Sequence, residues 1–71
     1  MINTIMLNEK INESGLKKKV IAQYLGITPY SLLQKINNKS EFKVSEVYKL
    51  IELLKLNRRE VFCIFFSKIL N

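Results

Sequence analysis

Tyr30, Gln34 and Asn37 stand at i, i+4 and i+7, so on a helix their phenol and amide heads share one face. Groups of this kind recognise rather than transfer protons at neutral pH. A glutamine amide offers one donor edge and one acceptor edge side by side, the pattern that pairs with adenine N7 and N6 in the major groove. A tyrosine hydroxyl can bond a phosphate or a base edge, and its ring can lie against a thymine methyl. Lysines accompany these residues at 17, 18, 19, 39 and 43. Over the whole chain, 12 Lys and Arg stand against 6 Glu, a net charge of +6. That balance favours a polyanionic partner. The rival explanation is a lysine-coated soluble protein of AT-rich coding, which the abundance of Ile, Lys and Asn also suits. Equipment for catalysis is missing: the chain has no histidine, no carboxylate pair beside a nucleophile, no glycine-rich phosphate loop and no metal-ligand cluster. The expectation is a binding protein, not an enzyme, with no cofactor, no metal and no evident small-molecule ligand.

The elements that must hold these side chains are short. Ile21, Ala22 and Leu25 make one apolar face of a helix that ends at Gly26, where a left-handed residue stops a helix cheaply. Ile27 returns to the core. Thr28 suits an N-cap and Pro29 the first helical position, where its missing N–H costs nothing. A second helix, Pro29 to about Ile36, then buries Leu32 and Ile36 and leaves Tyr30, Gln34 and Lys35 for other work. Two helices joined by a short glycine-containing turn, over about residues 18–37, read as a helix-turn-helix.

The run Ala22-Gln23-Tyr24-Leu25-Gly26-Ile27-Thr28 resembles the A-x-x-L-G-[IV]-[ST] centre of Cro and lambda-repressor-like helix-turn-helix proteins, the xenobiotic-response-element type. Lys35-Ile36-Asn37-Asn38-Lys39, Glu41-Phe42 and Ile64-Phe65-Phe66 extend the likeness to a small phage or prophage branch of that superfamily, from about Leu7 to Phe66. Each motif alone is common; their order and spacing carry the resemblance. It implies an all-α, compact five-helix DNA-binding domain spanning 1–71, with the second helix of the pair in the major groove. Base contacts would then come from Thr28, Pro29, Tyr30, Leu33, Gln34 and Asn37. Leu33 has two readings, a core residue beside Leu32 and Ile36 or an apolar contact to thymine. Phosphate contacts would come from Lys18, Lys19, Asn38, Lys39 and Lys43, with backbone N–H groups of the exit loop.

The lysine triplet at 17–19 departs from the relatives, which often place a Ser or Thr cap at 17 and Gln at 18. Cations at a helix N-terminus oppose its dipole, at roughly 0.3–1 kcal/mol per charge in low salt. A phosphate against that end would reverse the sign; a solvated charge run is the bland alternative. Relatives also often have Gly where Asn38 stands, a position suited to the left-handed conformation.

The rest of the chain reads as scaffold and partner surface. A first helix over about Thr4 to Glu13 buries Leu7 and Ile11, with Ile5 or Met6 extending the stripe, and stops at Ser14-Gly15. Leu16 and Phe42 belong to the core. A fourth helix, about Val44 to Lys55, carries the stripe Val44, Val47, Leu50, Ile51 and Leu54, with Ser45 as an alternative cap. Asn57 and Glu60 have capping-box spacing before Val61-Phe62-Cys63-Ile64-Phe65-Phe66. Val61, Phe62 and Phe65 can fill the core, leaving apolar residues over. Leftover apolar surface on a small domain implies a partner. Because the relatives bind as dimers, the expectation is a homodimer through Ile64, Phe66, Ile69 and Leu70 in a C-terminal helix over 57–71.

A lone cysteine, Cys63, excludes an intramolecular disulfide and fits a reducing cytoplasm. The first ten residues lack the basic start and long apolar run of an export signal. The longest apolar stretch falls far short of the ~20 residues of a membrane span. The function expected is a transcriptional regulator blocking polymerase as a dimer on an operator, in the cytoplasm and nucleoid-associated when bound. A rival class is a helix-turn-helix scaffold whose C-terminal helix binds protein: an antirepressor, a toxin or a polymerase subunit. A membrane-surface binder fits poorly, because no lysine face flanks the apolar end.

Overall fold

The computed structural model describes residues 1–66. The elements are α1 (Thr4–Ser14), α2 (Lys18–Leu25), α3 (Pro29–Ile36), α4 (Val44–Leu54) and α5 (Arg58–Val61), which runs into a π-helical turn (Phe62–Phe66). No strand occurs among the described residues. The boundaries follow local chemistry. Asn3 caps α1 by accepting from the Met6 N–H, and Gly15 (φ +73°) ends it. Gly26 (φ +77°) ends α2, its N–H bonded to the Ala22 and Gln23 carbonyls. Thr28 caps α3 with Pro29 just inside, as the spacing predicts.

Helix α4 begins at Val44, where the apolar stripe places it. Ser45 is not its cap; instead the Glu46 carboxylate turns back to accept from the Lys43 N–H at 2.9 Å. The helix stops at Leu54 because Lys55 takes a left-handed conformation (φ +54°). For α5 the expected capping box is present, Asn57 and Glu60 bonding each other's backbone N–H at 2.8 and 2.9 Å.

One core collects Leu7 and Ile11 from α1, Ile21, Ala22 and Leu25 from α2, Leu32 and Ile36 from α3, and Leu50 and Leu54 from α4. Leu56, Ile64 and Phe65 close it, with Leu16, Ile27, Phe42 and Val47 packed at its margin. Helix α2 packs on α3 and α4, while α1 bridges α3, α4 and the π-helical turn. Polar ties reinforce this arrangement. Tyr24 on α2 donates its hydroxyl proton to Glu52 on α4 at 2.5 Å, and that bond raises the phenol pKa above its ordinary value. Lys10 on α1 bridges Glu13 and Glu60, at 3.0 and 2.7 Å. The pairing raises the lysine pKa and, with the Asn57 N–H, lowers that of Glu60.

Three expectations about the core are corrected. Val44, at the first turn of α4, is exposed, as is Ile5, so Met6 is the residue that extends the α1 stripe. Phe62 is 43% exposed whereas Ile64 is 1% exposed. On a regular helix these two flank the Val61–Phe65 row on opposite sides, so spacing alone does not choose between them. The π-helical turn, with its i→i+5 pattern, re-aims the row. The Asn3 N–H then bonds the Ile64 carbonyl at 2.7 Å and holds that residue against the chain's N-terminal segment.

Candidate nucleic-acid interface

Helix α3 presents two faces of different chemistry. Inward lie Leu32, Lys35 and Ile36, at i, i+3 and i+4. Outward lie Tyr30 (70% exposed), Leu33 (46%) and Asn37, with Gln34 half-exposed among them. The two readings of Leu33 thus resolve to the outer face. Its spacing to Leu32 and Ile36 suits the core, but Lys35 occupies the inner position instead. Gln34 donates its Nε2–H to the Tyr30 hydroxyl oxygen at 2.5 Å, one helical turn apart. At the start of the helix Thr28 is exposed, its Oγ1 accepting from the Ser31 N–H at 3.0 Å, and Pro29 is exposed beside it.

Lys35 is the residue whose placement corrects the sequence reading most. It is 8% exposed and its ammonium meets the Glu46 carboxylate at 2.6 Å, so it is not free for other work. Burial alone would push the Glu46 carboxyl up. The Lys35 ammonium and the Lys43 N–H outweigh it and hold the group below its ordinary 4.5. The pair joins α3 to the start of α4 across the loop between them. Its signal was in the sequence: Lys35 shares the apolar row of Leu32 and Ile36 and so needs a buried anion.

Asn38 is a second correction. It was expected at a phosphate, yet its side chain is spent on the fold. Oδ1 accepts from the Ile2 N–H at 2.8 Å, and Nδ2 donates to the Ile2 carbonyl and to Thr4 Oγ1 at 3.1 and 3.2 Å. Its backbone is left-handed (φ +63°), as its position after the helix implied. Thr4 adds a bond from its hydroxyl to the Ile36 carbonyl at 2.7 Å. The N-terminal segment therefore laces the end of α3. The exit-loop amides are likewise turned inward: the Asn37, Asn38 and Lys39 N–H groups bond the carbonyls of Leu33, Lys35 and Gln34. They are withdrawn from the phosphate set.

The lysine side chains remain. Lys17, Lys18, Lys19, Lys39 and Lys43 are all exposed. Among the described residues the ion pairs are those of Lys10 and Lys35, so none of these five is neutralised by a carboxylate. Helix α2 has no side-chain cap at its N-terminus, where Lys17 occupies the cap position. Its first turn is therefore positive twice over, from side chains and from unshielded amides.

Away from α3, a groove of ≈ 420 Å³ opens between α4 and the π-helical turn, with Phe42, Val44, Tyr48 and Phe66 among its walls. Phe66, expected at a dimer contact, is exposed there. Ile64, assigned the same role, is corrected: it is a core residue, sealed inside its own chain. Ile69 and Leu70 lie outside the described residues. No group of three or more metal-ligating side chains occurs among the described residues. No helix among the described residues is long and apolar enough to cross a membrane.

A family model described as "Protein of unknown function (DUF739)" matches residues 4–68. No curated protein and no solved structure matches the chain.

Proposed function

We propose that this chain, which belongs to the DUF739 family, is a sequence-specific binder of double-stranded DNA. In this reading α2 and α3 form a helix-turn-helix of the Cro and lambda-repressor-like kind, in a phage or prophage regulator. The carrying observation is the outer face of α3, where Tyr30, Leu33 and Asn37 are exposed and Gln34 lies half-buried beside them. Around it the lysines at 17–19, 39 and 43 carry no carboxylate partner among the described residues. A solvated charge coat would explain the lysines but not an exposed leucine and two amides on the same helical face.

The division of labour follows from chemistry. Lys18 and Lys19, at the uncapped start of α2, take phosphates together with Lys39 and Lys43, giving salt-dependent affinity without sequence information. Gln34, Tyr30, Leu33 and Asn37 face the base edges, with Thr28 and Pro29 fitting the groove wall. A homodimer on a two-fold operator sets its recognition helices roughly 34 Å apart, one turn of DNA, and excludes polymerase sterically. With Ile64 buried, Phe62 and Phe66 are the exposed large apolar residues of the described C-terminal segment and take over the dimer contact in this reading. In this role the protein works in the cytoplasm, on the nucleoid when bound.

Selection of bound duplexes from random DNA tests the reading. The expected result is a palindrome with half-sites one helical turn apart, and a log–log salt plot of negative slope. No enrichment and a slope near zero would overturn it.

The groove between α4 and the π-helical turn favours a second reading, a protein-interaction module for an antirepressor, toxin or polymerase subunit. A chain that gel-filters as a monomer, ignores duplex DNA and retains a protein partner supports that reading instead.

A further inference from the structure

Helix α3 (Pro29–Ile36) has one cation and no carboxylate in its sequence, and that cation, Lys35, is sealed against Glu46 at 2.6 Å. The commonest reader of guanine is an Arg or Lys on O6 and N7, and cytosine N4 is read by Asp or Glu. The outward face of α3 therefore holds no charged reader of a G·C pair. The next cation along the chain, Lys39, lies past the end of the helix and the left-handed Asn38.

What this face does present is apolar surface. Leu33, 46% exposed, stands at its centre, with Tyr30, 70% exposed, one turn before it and the exposed Asn37 one turn after. Pro29 is exposed at the head of the same row. A leucine side chain neither donates nor accepts a hydrogen bond, so it gains nothing from a phosphate oxygen. Pressed against cytosine N4 or guanine O6 it would strip water from a polar group and return no hydrogen bond, which weakens binding. The 5-methyl group of thymine is the apolar feature of the major groove, and burying it against Leu33 is favourable.

We infer that α3 reads an A·T pair at the centre of its half-site, with Leu33 the specificity-determining residue through the thymine methyl group. The inference rests on the DNA-binding reading and adds to it the base pair taken by the middle of the recognition helix.

The test uses the full chain and the duplex obtained by selection. Each thymine of one half-site is replaced in turn by deoxyuridine, which pairs identically and lacks only the methyl group. At one position wild type should bind the uracil duplex about fourfold more weakly, the effect of burying one methyl group. Leu33→Ala should bind the two duplexes equally at that position and keep its preferences elsewhere. Three results overturn the inference while DNA binding stands: uracil tolerated everywhere by wild type, a uracil penalty that survives in Leu33→Ala, or a G·C pair at the position where Leu33→Ala changes preference. A loss in Leu33→Ala that is equal for every duplex marks Leu33 as a packing residue and also overturns it. Absence of any duplex binding by wild type overturns the DNA reading and the inference with it. Circular dichroism of Leu33→Ala should match wild type, because the position is exposed and alanine is a good helix former.

Discussion

Gln34 and Lys35 are consecutive on α3, yet one faces outward beside Tyr30 and the other is sealed against Glu46. The glutamine is held lightly by an exposed bond to a residue one turn away. The lysine is held by a short ion pair that crosses to another helix, the Lys43 N–H donating to the same carboxylate oxygen. The same contrast separates two sets of lysines among the described residues. Lys35 and Lys10 are structural cations with carboxylate partners, while those at 17–19, 39 and 43 project without one among the described residues. Net charge does not distinguish the two sets. Burial and partners do: the first set is tied into the fold, and the second is the one the DNA-binding proposal draws on.

The buried pair gives the largest expected effect. Glu46→Ala leaves the Lys35 ammonium without an anion and removes the acceptor for the Lys43 N–H. Its loss is expected at about 3–5 kcal/mol in urea unfolding, a large share of what a domain this small holds. Lys35→Met should cost less, because Glu46 keeps its backbone N–H. Lys35→Met with Glu46→Leu should be more stable than Glu46→Ala alone, since an apolar pair of similar volume strands no charge. A loss below about 1 kcal/mol for Glu46→Ala would mean the pair behaves as a screened surface bridge, and the contrast with the other lysines would fail. The pH dependence has a definite sign. The folded-state pKa of Glu46 lies below its ordinary 4.5. Its contribution is therefore complete above that value and disappears as pH falls through the folded-state value. Glu46→Gln should flatten the acid side of the stability profile.

How far the sequence foretold these placements depends on the range of the interaction. Gly15, Gly26, Thr28-Pro29 and the Asn57–Glu60 box act within a few residues, and each element boundary they mark is where the spacing put it. The apolar rows of α1 to α3 were legible for the same reason. Asn38 was not: it is bonded to Ile2 and Thr4, residues far away in sequence that only the fold brings near. Lys35 was half legible, since its row signalled burial but nothing local named Glu46. Val44 lay on the right stripe, but at the first turn of α4 the core had already ended. The outer face of α3 was legible as a set, while the Gln34–Tyr30 bond needed side-chain geometry to be seen.

A comparable test applies at the C-terminal end, where spacing could not choose between two apolar residues. Ile64→Ala removes a fully enclosed side chain and is expected to cost about 2–4 kcal/mol. Phe62→Ala should cost much less despite its larger side chain, because nearly half of that residue already meets solvent. Equilibrium unfolding of the two variants decides the matter. Equal losses would mean that the row of inward residues follows a regular α-helix and not the π-helical turn.

The smallest effects belong to the exposed lysines, and there the direction matters more than the size. Lys18→Gln and Lys19→Gln each remove a cation from the first turn of α2, where it opposes the helix dipole and no side chain caps the end. Each should leave the fold as stable or slightly more so. If a phosphate sits against that turn, each should also reduce the slope of log K against log salt by about 0.9, the contribution of one released counterion. Base preference should not change, because phosphates carry no sequence. Lys35→Met makes the opposite prediction on both readouts, with stability lost and the salt slope kept. An Lys18 or Lys19 variant that destabilises the fold, or leaves the slope unaltered, would remove the start of α2 from the interface and leave Lys39 and Lys43 as the phosphate-binding lysines.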